Sequence, residues 1–452
     1  MRMRSKMVSI KFIYFSPLLL FLFIRSFFVT PVMSDETIYI NMAKALKEGL
    51  IPYKDFFYAH PPLQLLILFP VAQTGNFFLT KIYITLIGLA CVFLTYLIAK
   101  EIFDERTAFI SMLFFLIFPG FLIFGNLAMG TFESLLFFLL SFYFLIKGKL
   151  LISAICMSIS FFTRYLILLL VPFVLIYILL FKRSILKKYV TYLVCVLFAS
   201  LFIIYILFGF VFLRDTVIYH FGYNIKTTLS PRLANWIWQY FSLGFFTEFI
   251  TIISLIFGYF RRDYKLILFS LYSFIYDFTV LLIFKQVIYH YFAFALPMIA
   301  IAFGKTFSRS KFPEIKMFLL LILFLSFVSN FKSLTHFFDK NKNYVFEDAV
   351  KYTLNFTKED ELIFGDPRIV NYVSFVTGRK IANNYFDSDL KHIDFEGSEK
   401  VVKEVKELNP RIIFGTADAF YEYFEVEYEK MVEWNVPGYY YLLLMIRKED
   451  KI

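Results

Sequence analysis

The sequence predicts a polytopic α-helical membrane protein with a C-terminal α/β domain outside the membrane. Three observations carry that class. Of 452 residues, 60% are hydrophobic, with 64 Phe and 31 Tyr, more apolar surface than a soluble interior can absorb. The apolar residues gather in long runs parted by short basic turns. The charge also splits: before residue 335 there are 30 Lys and Arg against 13 Asp and Glu, and from 335 onward 16 against 22. The net charge of +11 needs no nucleic-acid partner, because the positive-inside bias of membrane proteins accounts for it.

The elements follow in order. Arg2, Arg4, Lys6 and Lys11 precede an apolar run over about 12–32. The run is too long for a cleaved signal and lacks a small-residue cleavage site, so it reads as a retained helix with a cytoplasmic N-terminus. Residues 61–72 are apolar but too short to span, and suit the interface. Spans follow at about 77–99, 107–124 and 131–146. The run 150–181 is basic at both ends. As one helix it would be about 48 Å long against roughly 30 Å of hydrocarbon. Two short helices meeting near Arg164 fit better. A span at about 189–213 leads to the polar loop 214–242, which holds His220, Tyr223, Arg232, Trp236 and Trp238. Further spans lie at about 243–260, 265–284, 287–304 and 313–331. The count is about 11 crossings, placing residues 335–452 outside. Arg261, Arg262 and Lys265 mark one cytoplasmic turn, and Lys305, Arg309, Lys311 and Lys316 another.

From 335 the pattern changes. Residues 347–356 and 398–408 read as helices, and Leu362–Phe364, Ile412–Phe414 and 439–446 as strands. This domain carries no nucleotide fingerprint and no Walker loop. Asn355-Phe356-Thr357 is a glycosylation triplet. Cys91, Cys156 and Cys195 all lie in apolar runs, without metal-ligand spacing, and read as buried packing residues.

The chemistry-bearing stretch is the first outer loop, 33–76. It opens with Asp35 and Glu36 and reaches His60-Pro61-Pro62-Leu63. Between them Ile38, Met42, Ala45 and Leu46 fall at helical spacing, with Lys44, Lys47 and Glu48 elsewhere, which reads as a membrane-hugging amphipathic helix. A carboxylate at the bilayer centre costs roughly 2.5–3.5 kcal/mol or more, so the acidic pair belongs at the water boundary. The topology gathers Asp35, Glu36, His60, Glu133, Arg164, Lys285, Tyr289 and His290 at the outer surface. Carboxylates there can deprotonate an acceptor, and cations can hold a leaving phosphate. Plainer roles are open for each. Asp35 and Glu36 suit a helix N-cap; Arg164 and Lys285 suit interface anchors; His60 suits turn surface; Trp236 and Trp238 suit an aromatic belt. Asp277, inside an apolar run, is either a packed polar contact or part of a wet cavity.

These residues resemble the GT-C class of polyprenyl-phosphate-sugar-dependent glycosyltransferases, nearest the branch holding the protein O-mannosyltransferases and the lipid A aminoarabinose transferases. The likeness covers roughly 10–330. It rests first on Ser34-Asp35-Glu36, then Ala43, Gly49, Pro52-Tyr53, Asp55 and Pro61-Pro62-Leu63. Gly130-Thr131-Phe132-Glu133, Phe162-Thr163-Arg164 and the Lys285, Tyr289, Ala295-Leu296-Pro297 series follow in the family's order. The resemblance implies an inverting transferase with Asp35 as catalytic base and Glu36 in support. It implies that His60, Arg164, Lys285 and Tyr289 contact donor phosphate, with Glu133 and His290 nearby. His60 departs from the family's frequent Lys, and Glu133 from its usual Asp. The partners implied are a polyprenyl-phosphate-linked sugar donor, membrane lipids, and a protein or glycolipid acceptor, with no obligatory metal or other cofactor. A transporter or lipid flippase is the competing class; it explains the helices and Asp277 but not an acidic pair, a Pro-Pro loop and cations on one face.

Overall fold

A computed structural model describes residues 16–23, 35–222, 246–283, 289–338, 344–416, 419–436 and 440–448. In chain order the helices are α1 (16–23), α2 (Glu36–Ala45), α3 (Leu63–Ala72), α4 (Phe77–Ile102), α5 (Glu105–Ile117), α6 (Pro119–Phe124), α7 (Thr131–Ile146), α8 (Leu150–Thr163), α9 (Val171–Phe181), α10 (Leu186–Leu213), α11 (Tyr219–Gly222), α12 (Thr247–Arg261), α13 (Tyr264–Ile283), α14 (Leu296–Arg309), α15 (Pro313–Phe338), α16 (Tyr344–Phe356), α17 (Pro367–Thr377), α18 (Leu390–Glu396), α19 (Ser398–Leu408) and α20 (Ala419–Glu422). The strands are β1 (Ile363–Gly365), β2 (Ile412–Thr416), β3 (Tyr428–Val436) and β4 (Tyr440–Arg447). They form two compact units. One takes residues 1–29, 81–202 and 225–338; the other takes 30–80, 203–224 and 339–452. The second unit therefore joins the opening loop to the C-terminal residues, which the charge boundary at 335 separates.

The first unit is helical. Among the described residues, four helices are long and apolar enough to cross a membrane: Phe77–Ile102, Arg183–Ile218, His290–Arg309 and Pro313–Phe331. The chain is a multi-pass membrane protein. The run 150–181 is broken, as its length requires. α8 stops at Thr163, Arg164 is extended (φ −154°), and a 3-10 segment Tyr165–Leu170 leads into α9. Pro172 is one physical reason: it has no N–H, and its ring would meet the carbonyl four residues back in a continuous helix. The run 287–304 begins likewise as a 3-10 segment, Tyr289–Ala295, before α14 opens with Pro297 near its start.

Small residues let the helices close. On α7 and α8, Ser134 Oγ donates to Ser160 O at 2.8 Å and Ser160 Oγ to Ser134 O at 2.7 Å. Ser141 and Ser153 repeat the exchange at 2.7 and 2.8 Å. These pairs satisfy polar groups without water and allow close backbone approach. α14 packs on α5, where a Cβ at Gly304 would lie 2.1 Å from Ser111 Oγ. Thr107 Oγ1 and Ser308 Oγ meet at 3.0 Å along the same seam. Much of the phenylalanine excess fills this unit; Phe173 stands 5.2 Å from Phe142 and 5.1 Å from Phe269, centroid to centroid. Cys91 and Cys156 are buried as expected, but Cys195 is exposed. It sits on α10, which turns most of its apolar side chains outward, so an apolar run by itself does not imply an interior.

The second unit contains a four-stranded sheet in the order β1-β2-β4-β3. β1 pairs parallel with β2, and the other two pairings are antiparallel. The expected helices at 347–356 and 398–408 appear as α16 and α19. β3 was not expected, because Glu429, Lys430 and Glu433 mask its alternation; charge on an edge strand guards against pairing with other chains. α17 was also missed, although Asp366-Pro367 is a helix start, with Asp366 Oδ1 accepting from Arg368 N at 3.1 Å.

α2 departs from the amphipathic reading. Every residue from Glu36 to Ala45 except Lys44 is buried. α3 covers one side and α17 another. The polar side faces protein hydrogen-bond partners rather than water.

Candidate active site

In the second unit, Asp35 stands at the N-cap of α2. It is exposed, and its side chain makes no cap hydrogen bond. Capping therefore does not occupy the carboxylate. Glu36, one residue later, is 0% exposed. Both lie where the helix dipole favours negative charge.

His60 is held by aromatic residues of the same loop. Tyr39 Oη and His60 Nε2 are 2.9 Å apart, and Tyr53 Oη donates to the His60 carbonyl at 2.6 Å. Tyr53 itself has φ +66°. The His220 ring stacks on His60 at 5.5 Å, and His220 Nε2 lies 2.8 Å from Ala59 O. His60 is thus a fixed part of the loop, not ordinary turn surface.

C-terminal residues complete this surrounding. His392 stacks on Phe57 at 3.9 Å, and Lys391 Nζ sits 4.1 Å over the Tyr219 ring. Burial pushes the Asp387 carboxyl well above the usual range, and the charges of Asp389 and Asp35 add to that. Burial also lowers the Lys391 ammonium and the His392 ring from their ordinary values. Sequence reading missed this cluster. Its Asp-Ser-Asp-Leu-Lys-His run looks like solvated loop, and only folding brings it to Phe57 and Asp35.

In the first unit, Glu133 is fully buried in the first turn of α7, after Gly130 at φ +74°. It lies close to Tyr83 and Cys91 of α4. Arg164 is 7% exposed in the extended break between α8 and the 3-10 segment. Its charge acts on His290, which is buried at the start of the Tyr289–Ala295 segment. α7 packs on both 3-10 segments, and of the three residues Arg164 and His290 lie close to each other. Lys81 is a further buried charge, which the sequence reading passed over. It is 1% exposed, and its Nζ donates to Asn126 O at 3.2 Å, four residues before Gly130. The available signal was a lysine inside the apolar run 77–99. Asp277 is buried too, beside the charge of Glu248, and lines a cavity with Phe118, Gly120, Thr247, Phe292 and Leu296.

Tyr289 is described in its backbone alone. Lys285, Tyr223, Arg232, Trp236 and Trp238 lie outside the described residues. Among the described residues, no three His, Cys, Asp or Glu side chains group to hold a metal ion.

Residues 59–208 match the family model described as dolichyl-phosphate-mannose-protein mannosyltransferase. Among solved structures, the chain is similar to ArnT from Cupriavidus metallidurans in the apo state, with a TM-score of 0.67 at 11% identity, over 97% of this chain and 98% of that one. The chain shares the fold of this structure. The likeness in fold extends to the same ArnT bound to undecaprenyl phosphate, with a TM-score of 0.65 at 11% identity, covering 98% of both chains. It extends also to the oligosaccharyltransferase of Archaeoglobus fulgidus in the apo form, with a TM-score of 0.51 at 12% identity, over 97% of this chain and 75% of that one. No curated protein matches the chain.

Proposed function

We propose that the protein is an integral membrane glycosyltransferase that moves a sugar from a polyprenyl phosphate to a protein, lipid or lipid-linked glycan acceptor at the extracytoplasmic face. The observation that carries this reading is Asp35: an exposed carboxylate at a helix N-terminus, not used as a cap, in a chain of GT-C fold. The undecaprenyl phosphate bound to ArnT supports a polyprenyl-phosphate donor.

Asp35 acts as general base. It takes the proton of the acceptor hydroxyl or amine while the acceptor attacks the anomeric carbon. The bond to the phosphate oxygen breaks in the same step, and the anomeric configuration inverts. Glu36 supports the base. Arg164, Lys285 and His60 bind the phosphate and stabilise its charge as it leaves, with Tyr289 in contact and Glu133 and His290 beside them. Eleven crossings put the N-terminus in the cytoplasm and residues 335–452 outside.

The test is transfer by the purified, reconstituted chain from dolichyl phosphate mannose to a hydroxyl-bearing peptide, with product configuration read by NMR. Inverted product with stoichiometric dolichyl phosphate supports the reading. Retained configuration refutes the single displacement, and transbilayer movement of the lipid without transfer would favour a flippase.

A further inference from the structure

α2 and α17 are joined by three side-chain hydrogen bonds at matched spacing. Thr37 Oγ1 donates to Arg368 O at 3.0 Å, Asn41 Nδ2 to Asn371 Oδ1 at 3.1 Å, and Lys44 Nζ to Phe375 O at 2.9 Å. Residues 37, 41 and 44 share one face of a helix, as do 368, 371 and 375. The partners rise together in number, so the two helices run parallel. The central pair is the most buried: Asn41 is 4% exposed and Asn371 0%. Asn371 Nδ2 is itself fixed by Pro367 O and Phe386 O, both at 2.5 Å. That leaves Oδ1 as the group facing Asn41. Asp387, next in sequence to Phe386, lies within reach of the Asp35 charge.

We propose that Asn371 is a positioning residue for the transfer reaction: through Asn41 it sets the register of α2 and so the place of Asp35. This rests on the reading of Asp35 as the base. An apolar seam tolerates sliding, whereas a buried amide pair is satisfied at one register. A slip of one residue moves Asp35 by about 1.5 Å along the axis and turns it by about 100°. A misplacement of about 1 Å costs on the order of 10²-fold in rate. The C-terminal residues then act on the chemistry without touching substrate.

Two measurements on the full-length chain in detergent test this. The first is hydrogen exchange of the α2 amides, which does not depend on any activity. Asn371→Ala is expected to lower their protection at least tenfold while β2 keeps its own. The second is turnover with dolichyl phosphate mannose. Asn371→Ala is expected to lower kcat at least tenfold with a smaller change in donor KM, because α2 carries the base and, of the groups assigned to phosphate, reaches only His60, through Tyr39. Thr37→Val, which removes one bond of the three, is expected to shift both readouts the same way by less. Lys403→Ala, whose ammonium pairs with the exposed Glu407 on α19, serves as the unaffected control. Unchanged kcat in a folded Asn371→Ala protein overturns the proposal, as does a matching fall in kcat and donor affinity. If β2 protection is lost, Thr37→Val decides by the same criteria. Absence of wild-type turnover refutes the transferase reading instead; undiminished α2 protection in Asn371→Ala then still overturns the coupling.

Discussion

Asp35→Asn separates a base from a helix cap. The side chain is exposed and makes no cap hydrogen bond, so the substitution breaks no cap, and the charge near the helix dipole is worth about 0.3–1 kcal/mol. Asparagine keeps the shape and is as good an N-cap. Thermal stability is therefore expected to fall by less than about 4 °C. Catalysis is expected to respond very differently. The amide cannot take a proton at neutral pH, and a positioned base is worth typically 10²- to 10⁴-fold, or about 2.7–5.5 kcal/mol of barrier. The assay is single-turnover release of dolichyl phosphate from dolichyl phosphate mannose, run beside equilibrium donor binding. Binding within twofold of wild type and a rate at least a hundredfold lower is the expected pair of results. Glu36→Gln should slow the reaction less. Near-normal turnover in Asp35→Asn, with loss in Glu36→Gln or Glu133→Gln, would refute the assignment and move the base to another carboxylate.

Three further outcomes are expected. Arg164→Ala should weaken donor binding ten- to hundred-fold, the loss of a charged hydrogen bond of about 1.5–3 kcal/mol; isothermal binding of dolichyl phosphate checks it, and unchanged affinity would leave Arg164 an anchor. In a Cys195→Ala background, cysteines at the exposed positions Lys358 and Asn383 should react with an impermeant maleimide on intact cells; reaction only after permeabilisation would reverse the topology. Asp387→Asn should raise the melting temperature at neutral pH. The native carboxyl is held above its ordinary value of 3.8, so the folded state binds more protons than the unfolded one above that pH, and stability falls as pH rises through the window. Below about pH 4 both states are protonated, and the gain from the substitution should vanish in a thermal-melt series.

The helices of the first unit were legible because hydrophobic runs and basic turns are local properties. The break at Arg164 followed from length alone, since a helix rises by a fixed amount per residue while bilayer thickness is bounded. Asp35 stood out as a candidate because its neighbours in sequence, Glu36 and the later Pro61-Pro62, carry the resemblance. Lys81 was legible in principle, as a lone charge in an apolar run. β3 was hidden by its edge charges, and α17 by a polar composition that resembles loop.

The sequence by itself determined that the chain enters a membrane several times, where its apolar helices lie, and that one loop concentrates acid, histidine and paired prolines. Those features depend on composition and spacing, and any fold of this chain must respect them. Tertiary structure alone decided what the polar side of α2 is for. The amphipathic reading, with Lys44, Lys47 and Glu48 off the apolar face, could not say what lies against Thr37, Asn41 and Lys44, since periodicity reports that a face is polar and not what it meets. Their partners, Arg368, Asn371 and Phe375, are more than 300 residues away. Their pairing exists only once the opening loop and the C-terminal residues fold as one unit, because a buried amide must find its hydrogen bond wherever the fold supplies one.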